Sequence, residues 1–365
     1  MQRLEIDIAY LTRLLTRLLR TPSPTGFTDA VVGLVCEELA ALGLKFELTR
    51  RGAIRANLPG VQPSPDRAIV AHVDTLGAMV KNLKDNGRLE IVPIGTWSAR
   101  FAEGARCTVY SASGGRYRGT ILPLKASGHV YNLGVDTMPV GWDFVELRLD
   151  ERVSTRHDLM RLPVHIGDMI AIDTSADIAE NGFINSRHLD DKAGVACLLA
   201  ATKAVIDAGV SLPVDCHILL TISEEIGTGA SHVLHGDVAE MVSIDNGTFA
   251  DGQNTSEFGA TICMMDESGP FDWHLSNGLC ELAREFSIPF ARDVFKYYRS
   301  DSASALAAGN DIRTALICFG LDASHGFERV HLDSLEAVAK LIAVYMQSPP
   351  VLARQQVGAM TVAGE

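Results

Sequence analysis

Apolar side chains recur at helical spacing over residues 6–20 and again over 28–42, where Gly43 closes the run. The chain therefore opens with two helices separated by the turn-rich stretch Thr21–Gly26. A short strand over Phe46–Arg50 follows. Residues 66–75, DRAIVAHVDT, are almost uniformly apolar until His72 and end on an acid, the pattern of a strand buried inside a parallel sheet. Between about residues 76 and 176 the texture changes to short β-rich pieces: LKDNGRLEIV, RCTVYSASGGRYRGTIL, DFVELRLDE and HIGDMIAID. Asp85-Asn86-Gly87 and Gly114-Gly115 are hairpin-turn signals.

After this stretch the α/β rhythm resumes. Helix over residues 190–208, ended by Gly209, is followed by strand (216–225), strand (241–247), helix (272–288), strand (313–321) and a closing helix (334–347). The pattern predicts an α/β domain made of residues 1–75 and 177–365, with a small antiparallel β domain inserted at 76–176. From Ser348 the pattern weakens and the tail is expected to fray.

Composition narrows the function. The 365 residues are 47% hydrophobic, enough for a sizeable core, and the formal net charge is −13. An acid excess with no basic cluster argues against nucleic acid as the main partner. No stretch approaches the ~18 apolar residues of a membrane span, and the first residues read as an amphipathic helix rather than a signal peptide. The seven cysteines are scattered, with no CxxC pair, and read as buried reduced thiols of a cytoplasmic protein. GxSxG is absent, which removes the usual serine-nucleophile signature.

The candidate chemistry lies where the predicted strands end: His72 and Asp74, Glu224 and Glu225, Asp245, and, after a short loop, His325. Ligands of open α/β sheets bind beyond the carboxyl ends of the strands, so these residues can converge. Asp190 and Asp191 stand at a loop-to-helix junction, where one of them could be an N-cap. The glutamate pair could be a solvated loop and a lone histidine could be structural. Taken together, however, carboxylates after buried strands repel one another unless positive charge neutralises them. Two divalent cations about 3.5–4 Å apart, sharing a carboxylate and a water, would supply it.

The segments HVDTLGAMV, HLDDKAG, SEEIGTGAS, SIDNG and ALICFGLDASH, in this order, resemble the tetrahedral aminopeptidases, the two-metal peptidases of family M42. The resemblance spans nearly the whole chain, including the β insertion with NGRLEIVPIGTW and HIGDMIAID. It implies a three-layer α/β/α zinc-peptidase (phosphorylase/hydrolase-like) domain with a PDZ-like small β-barrel used for oligomerisation. It also implies that His72 and Asp245 hold one metal, Glu225 and His325 the other, and that Asp190 bridges both, with a cis peptide joining Asp190 to Asp191. Asp74 would orient His72, and Glu224 would be the general base. Thr75 and Lys192 depart from the acidic residue and the arginine common at those positions. His331 is an alternative to His325, which is favoured by its place just past a strand. Asp301, in YYRSDSASAL, is a substrate-pocket candidate that could equally be a helix N-cap.

The implied activity is release of N-terminal residues from short peptides by a hydroxide bridging the two metals. The ions would be zinc, with cobalt or manganese as alternatives. Glu224 would take the water's proton and later pass it to the departing amine. A homo-oligomer is implied, a dimer or a tetrahedral dodecamer. Two rival readings are an amidohydrolase or deacylase acting on a small N-acylated or capped dipeptide, and an inactive scaffold of the same fold.

Overall fold

The computed structural model describes residues 1–351. Its centre is a mixed sheet of twelve strands with the main order Phe46–Leu48, Ile54–Leu58, Leu212–Thr221, Gly60–His72, Val238–Phe249, Arg313–Asp322, Glu328–His331, Phe183–Ser186 and Asp177–Ile178. Four neighbours in the middle, Leu212–Thr221, Gly60–His72, Val238–Phe249 and Arg313–Asp322, run parallel. Ala260–Asp266 branches off antiparallel to Arg313–Asp322. Parallel strands buried on both faces need apolar side chains on both. Val70, Ile218, Val242 and Ile317 accordingly share one core with the helices.

Those helices include Ile8–Arg20, Leu189–Ala208, Leu332–Gln347 and Trp273–Glu285, which pack in that succession. Ile8–Arg20 shows why the amphipathic reading succeeds: Leu11, Leu14, Leu15 and Leu18 are buried, while Arg17 and Arg20 fall in the last turn, where cations suit the helix dipole. The inserted stretch forms a closed six-stranded antiparallel barrel from Gly77–Leu83, Leu89–Ile94, Val145–Leu149, Arg116–Pro123, Arg106–Tyr110 and Met169–Ile172. Closure leaves no exposed strand edge, and Val80, Ile91, Val109, Ile121, Leu147 and Ile170 fill the interior. Both glycine turns lie at hairpins, with Gly87 at φ +75° and Gly114 at φ +89°.

Two expectations change. Short strands such as Ile54–Leu58 and Phe290–Val294 join the sheet without having been visible as patterns, because so few residues carry too little periodicity. The tail does not fray at Ser348: that residue and Val351 are buried, and the Val351 N–H donates to Glu240 Oε2 at 3.0 Å. The remainder of that expectation lies outside the described residues.

Glu240 explains the difference. It is wholly buried in a central strand and pairs with the equally buried Arg67 of the neighbouring strand, Nη2 to Oε1 at 2.6 Å. Arg67 also donates to the Tyr345 carbonyl, and the Tyr345 hydroxyl donates to Glu240 at 3.0 Å. The pair thus ties the sheet to the closing helix and the segment behind it. Glu240→Ala strands the guanidinium without a counter-charge and is expected to lower stability by about 3–5 kcal/mol. Denaturant unfolding checks this, and a loss below about 1 kcal/mol contradicts it.

Candidate metal centre

Because the four central strands are parallel, their carboxyl ends share one edge. Thr221 pairs with His72, placing the turn Glu224–Ile226 just beyond the end of strand Gly60–His72. Asp245 lies opposite Cys318 on the strand whose end leads into the His325 turn. The helix Leu189–Ala208 starts at this edge, and the Asp190–Asp191 peptide is cis. Five side chains then meet in two groups: His72, Asp190 and Asp245, and Asp190, Glu225 and His325. In each, the offered atoms all lie within 4.8 Å of one another, and Asp190 is common to both.

Both imidazoles are held from behind. His72 Nδ1 lies 2.9 Å from the main-chain carbonyl of Asp74, and His325 Nδ1 lies 2.8 Å from that of Thr96. A carbonyl only accepts, so each Nδ1 carries the hydrogen and each Nε2 faces the carboxylates. His72 Nε2 is 3.2 Å from Asp190 Oδ1 and His325 Nε2 is 3.4 Å from Asp190 Oδ2. His331 stands elsewhere, its Nδ1 accepting from Asp333 N at the start of the closing helix.

The Asp74 carboxylate does more than stand near His72. It lies 3.5 Å from His72 Nδ1, farther than the residue's own carbonyl. Its oxygens accept from Thr25 Oγ1 (2.6 Å) and from the backbone N–H groups of Glu224 (3.1 Å) and Glu225 (3.3 Å), so it fixes the turn that presents both glutamates. Glu224 Oε2 reaches within 3.7 Å of His72 Nε2 but belongs to neither group of three. Asp301 is buried, and its carboxylate accepts from Thr221 Oγ1 (2.5 Å) and Ala230 N (2.7 Å); it braces the strand end beneath the site, with both oxygens taken. The N-cap of its helix is Ser300.

Glu328, Asn246 and Tyr298 also matter here and were not among the sequence candidates. Glu328, buried, accepts from Leu189 N (2.7 Å), Asp190 N (3.3 Å) and His325 N (3.0 Å), joining the bridging aspartate to the histidine turn. Asn246 Nδ2 donates to Asp190 Oδ2 at 2.7 Å and Asp245 Oδ1 at 3.2 Å. Asp191 Oδ2 accepts from His72 N at 3.1 Å. The buried Tyr298 hydroxyl stands beside Asp245. Glu328 opens the strand Glu328–His331, past the loop that follows Arg313–Asp322.

The electrostatics are those of an acid cluster short of positive charge. Burial, reinforced by the charge of Asp190, pushes the Asp245 carboxyl far above its usual range, and burial raises Glu224 in the same way. Burial lifts Glu225 to about 8 against the pull of His325. Asp190 alone goes down: burial opposes its charge, but hydrogen bonds from His325 and His72 outweigh it. His325 rises to about 10, its own burial overcome by the bond to Asp190 and the charge of Glu225. Lys192, the nearest lysine in sequence, points its ammonium at the Thr21 carbonyl, 2.7 Å away, and burial takes it down to about 7. Among the described residues, the ion-pair contacts of these carboxylates run to the two imidazoles.

The M42 glutamyl aminopeptidase family matches residues 52–341. A putative aminopeptidase of Bacillus subtilis, YhfE, is 40% identical over 338 residues, covering 93% of this chain and 97% of its own. This chain belongs to the M42 family. It is therefore a hydrolase acting on peptide bonds. The lysyl aminopeptidase of Pyrococcus furiosus is 24% identical, covering 76% of this chain and 79% of its own. In fold, the TET aminopeptidase of a marine-sediment thaumarchaeote superposes with a TM-score of 0.86 at 17% identity, over 95% of this chain and 99% of that one. The Pyrococcus horikoshii TET1 peptidase does so at 0.80 and 19%, over 93% and 100%. Membership of a peptidase family fits the mixed sheet, the closed barrel and the acid-imidazole edge together.

Two outcomes follow for this peptidase. Glu225 and Glu328, at about 8 against ordinary values of 4.5, and His325, at about 10 against 6.5, all keep protons in the folded chain that the unfolded chain releases. Their stabilisation is present at low pH and lost as pH rises through roughly 4.5–8 for the acids and 6.5–10 for the histidine. The melting temperature of chelator-treated protein should fall between pH 5.5 and pH 8.5, and a divalent cation should flatten that fall; a rise would contradict it. Glu328→Gln replaces one accepting oxygen by an amide that cannot accept, freeing either His325 N or the Leu189–Asp190 pair. A loss of metal affinity of about 10–100-fold is expected, read by calorimetric titration, and unchanged affinity contradicts the role.

Proposed function

We propose that this chain is a two-cation aminopeptidase that removes N-terminal residues from short peptides. The observation that carries the reading is Asp190, shared between two groups of imidazole and carboxylate donors with, among the described residues, no lysine or arginine paired to them. The donor set fits the cations. Imidazole and carboxylate suit zinc, cobalt or manganese, and the carboxylates raised by burial and mutual repulsion lack the charge that a cation brings. In this reading His72, Asp190 and Asp245 hold one ion, and Asp190, Glu225 and His325 the other.

A divalent pair, when bound, supplies Lewis acidity toward a carbonyl oxygen and a lowered pKa for a water. The chain's own residues do the rest. Glu224 stands 3.7 Å from His72 Nε2 without being part of either group, and burial raises its carboxyl, which makes it a stronger base than an exposed glutamate. It accepts the proton of the attacking water and delivers it to the departing amine. Asp74 keeps Glu224 in place by holding its backbone N–H. The free amine of a peptide is a cation, and an acid-rich edge attracts it.

Assembly into a homo-oligomer belongs to the same proposal. It is supported by the fold shared with the Pyrococcus horikoshii peptidase, which can assemble into a tetrahedron or a large octahedral shell. Exposed Val130, Leu133, Met160 and Ile166 on the inserted segment add apolar surface suited to a partner. Seven free cysteines suit a reducing, cytoplasmic location.

Glu224→Gln is expected to retain two bound ions while kcat falls about 10²–10⁴-fold; unchanged turnover removes Glu224 from the proton-transfer role. Free-amine and N-blocked dipeptides assayed side by side separate an aminopeptidase from a deacylase. Cleavage of the free-amine substrates alone is expected, and activity confined to blocked ones overturns the reading.

A further inference from the structure

The two histidines of the centre differ in what holds them. His72 takes its carbonyl from Asp74, two residues along the same strand end. His325 takes its carbonyl from Thr96, which belongs to the barrel, in the connection between strand Leu89–Ile94 and helix Ala99–Ala102. The metal edge is thus built by the sheet, with one imidazole steered from the insertion.

The Thr96 carbonyl is itself fixed by the next residue. The Trp97 indole N–H donates to the Gly77 carbonyl at 3.1 Å, at the start of the barrel. The Trp97 carbonyl accepts from the Trp142 indole N–H at 3.1 Å, and the two rings meet edge to face with centroids 4.8 Å apart. On the other side, Gly95 sits at φ +81°, and a Cβ there would come 2.5 Å from Leu76 Cδ2 and 3.4 Å from the Glu225 carbonyl oxygen. The connection therefore runs flush against the Glu225 turn. Phe101 leans on Gly326, the residue after His325. The Gly95–Glu225 and Phe101–Gly326 approaches, with the Thr96 carbonyl on His325, bear on the Glu225–His325 side.

We propose that Trp97 and Trp142 of the barrel are positioning residues for His325, so that the cation held by Asp190, Glu225 and His325 depends on the barrel while the cation held by His72, Asp190 and Asp245 does not. The proposal rests on the two-cation reading above. A hydrogen bond to the far nitrogen of a ligating imidazole fixes its tautomer and direction. Without the two indole donors the peptide at Thr96–Trp97 can rotate, the carbonyl leaves Nδ1, and the ring loses its aim.

The test is calorimetric titration of chelator-stripped full-length protein with Zn²⁺. Wild type is expected to bind two ions per chain, and His325→Ala identifies the step that belongs to the His325 side. Trp142→Phe keeps a ring against Trp97 but removes the N–H donor. It is expected to weaken that step about tenfold or more and leave the other unchanged. Trp273→Phe, at an exposed tryptophan, should change neither and controls for the substitution itself. Trp97→Phe, which loses the bond to Gly77, gives the same readout if Trp142→Phe does not fold. Equal weakening of both steps, or no change in either, overturns the proposal. Fewer than two ions in the wild type overturns the two-cation reading, and this proposal with it.

Discussion

Repulsion among buried carboxylates is the constraint around which the rest of this molecule is arranged. Asp190, Asp191, Glu224, Glu225 and Asp245 converge on one edge of a sheet whose interior offers them little solvent. A lone charge in such a place costs several kcal/mol, and several of one sign cost more. Among the described residues the fold answers with polar hydrogen atoms rather than with lysines or arginines: backbone N–H groups, the Asn246 amide, and two imidazoles. The imidazoles meet the charge of Asp190, while Asp245, Glu224 and Glu225 stay raised for want of positive charge.

That arrangement explains the division of labour among the acids. Asp74 and Glu328 have their oxygens committed to backbone N–H groups, so they set the position of turns and strand ends. Asp190 accepts from one asparagine and meets an imidazole on each oxygen, the geometry of a shared carboxylate. Neighbouring Glu224 and Glu225 diverge because successive side chains on a single tight turn face different ways: Glu225 approaches His325, Glu224 approaches His72. In the proposed reading this one turn serves both cation holding and proton transfer.

Much of this was legible in the chain. Uniformly apolar runs ending in His72, Asp245 and the Glu224–Glu225 pair mark parallel strands and place their ends together, and the change in texture after residue 76 marks the barrel. The rest depends on contacts that no local pattern encodes. Glu328 is one more acid near a strand end until Leu189, Asp190 and His325 are seen to donate to it. Asp74 lies 3.5 Å from His72, the partner expected of it, but its closest polar neighbour is Thr25, 49 positions away. Asp301 was a pocket candidate through the family resemblance of its segment, with a helix N-cap as the alternative, and its carboxylate instead accepts from Thr221 and Ala230 while Ser300 caps the helix. The Thr96 carbonyl could not be read at all, since main-chain acceptors leave no mark on the sequence.

The most direct test of the central claim is anomalous scattering at the zinc edge from crystals grown or soaked with Zn²⁺. Two peaks per chain about 3.5–4 Å apart, one on each side of the Asp190 carboxylate, are the expected result. A single peak, or none, with Asp190, Glu225, Asp245 and the two histidines otherwise placed as described, would contradict it.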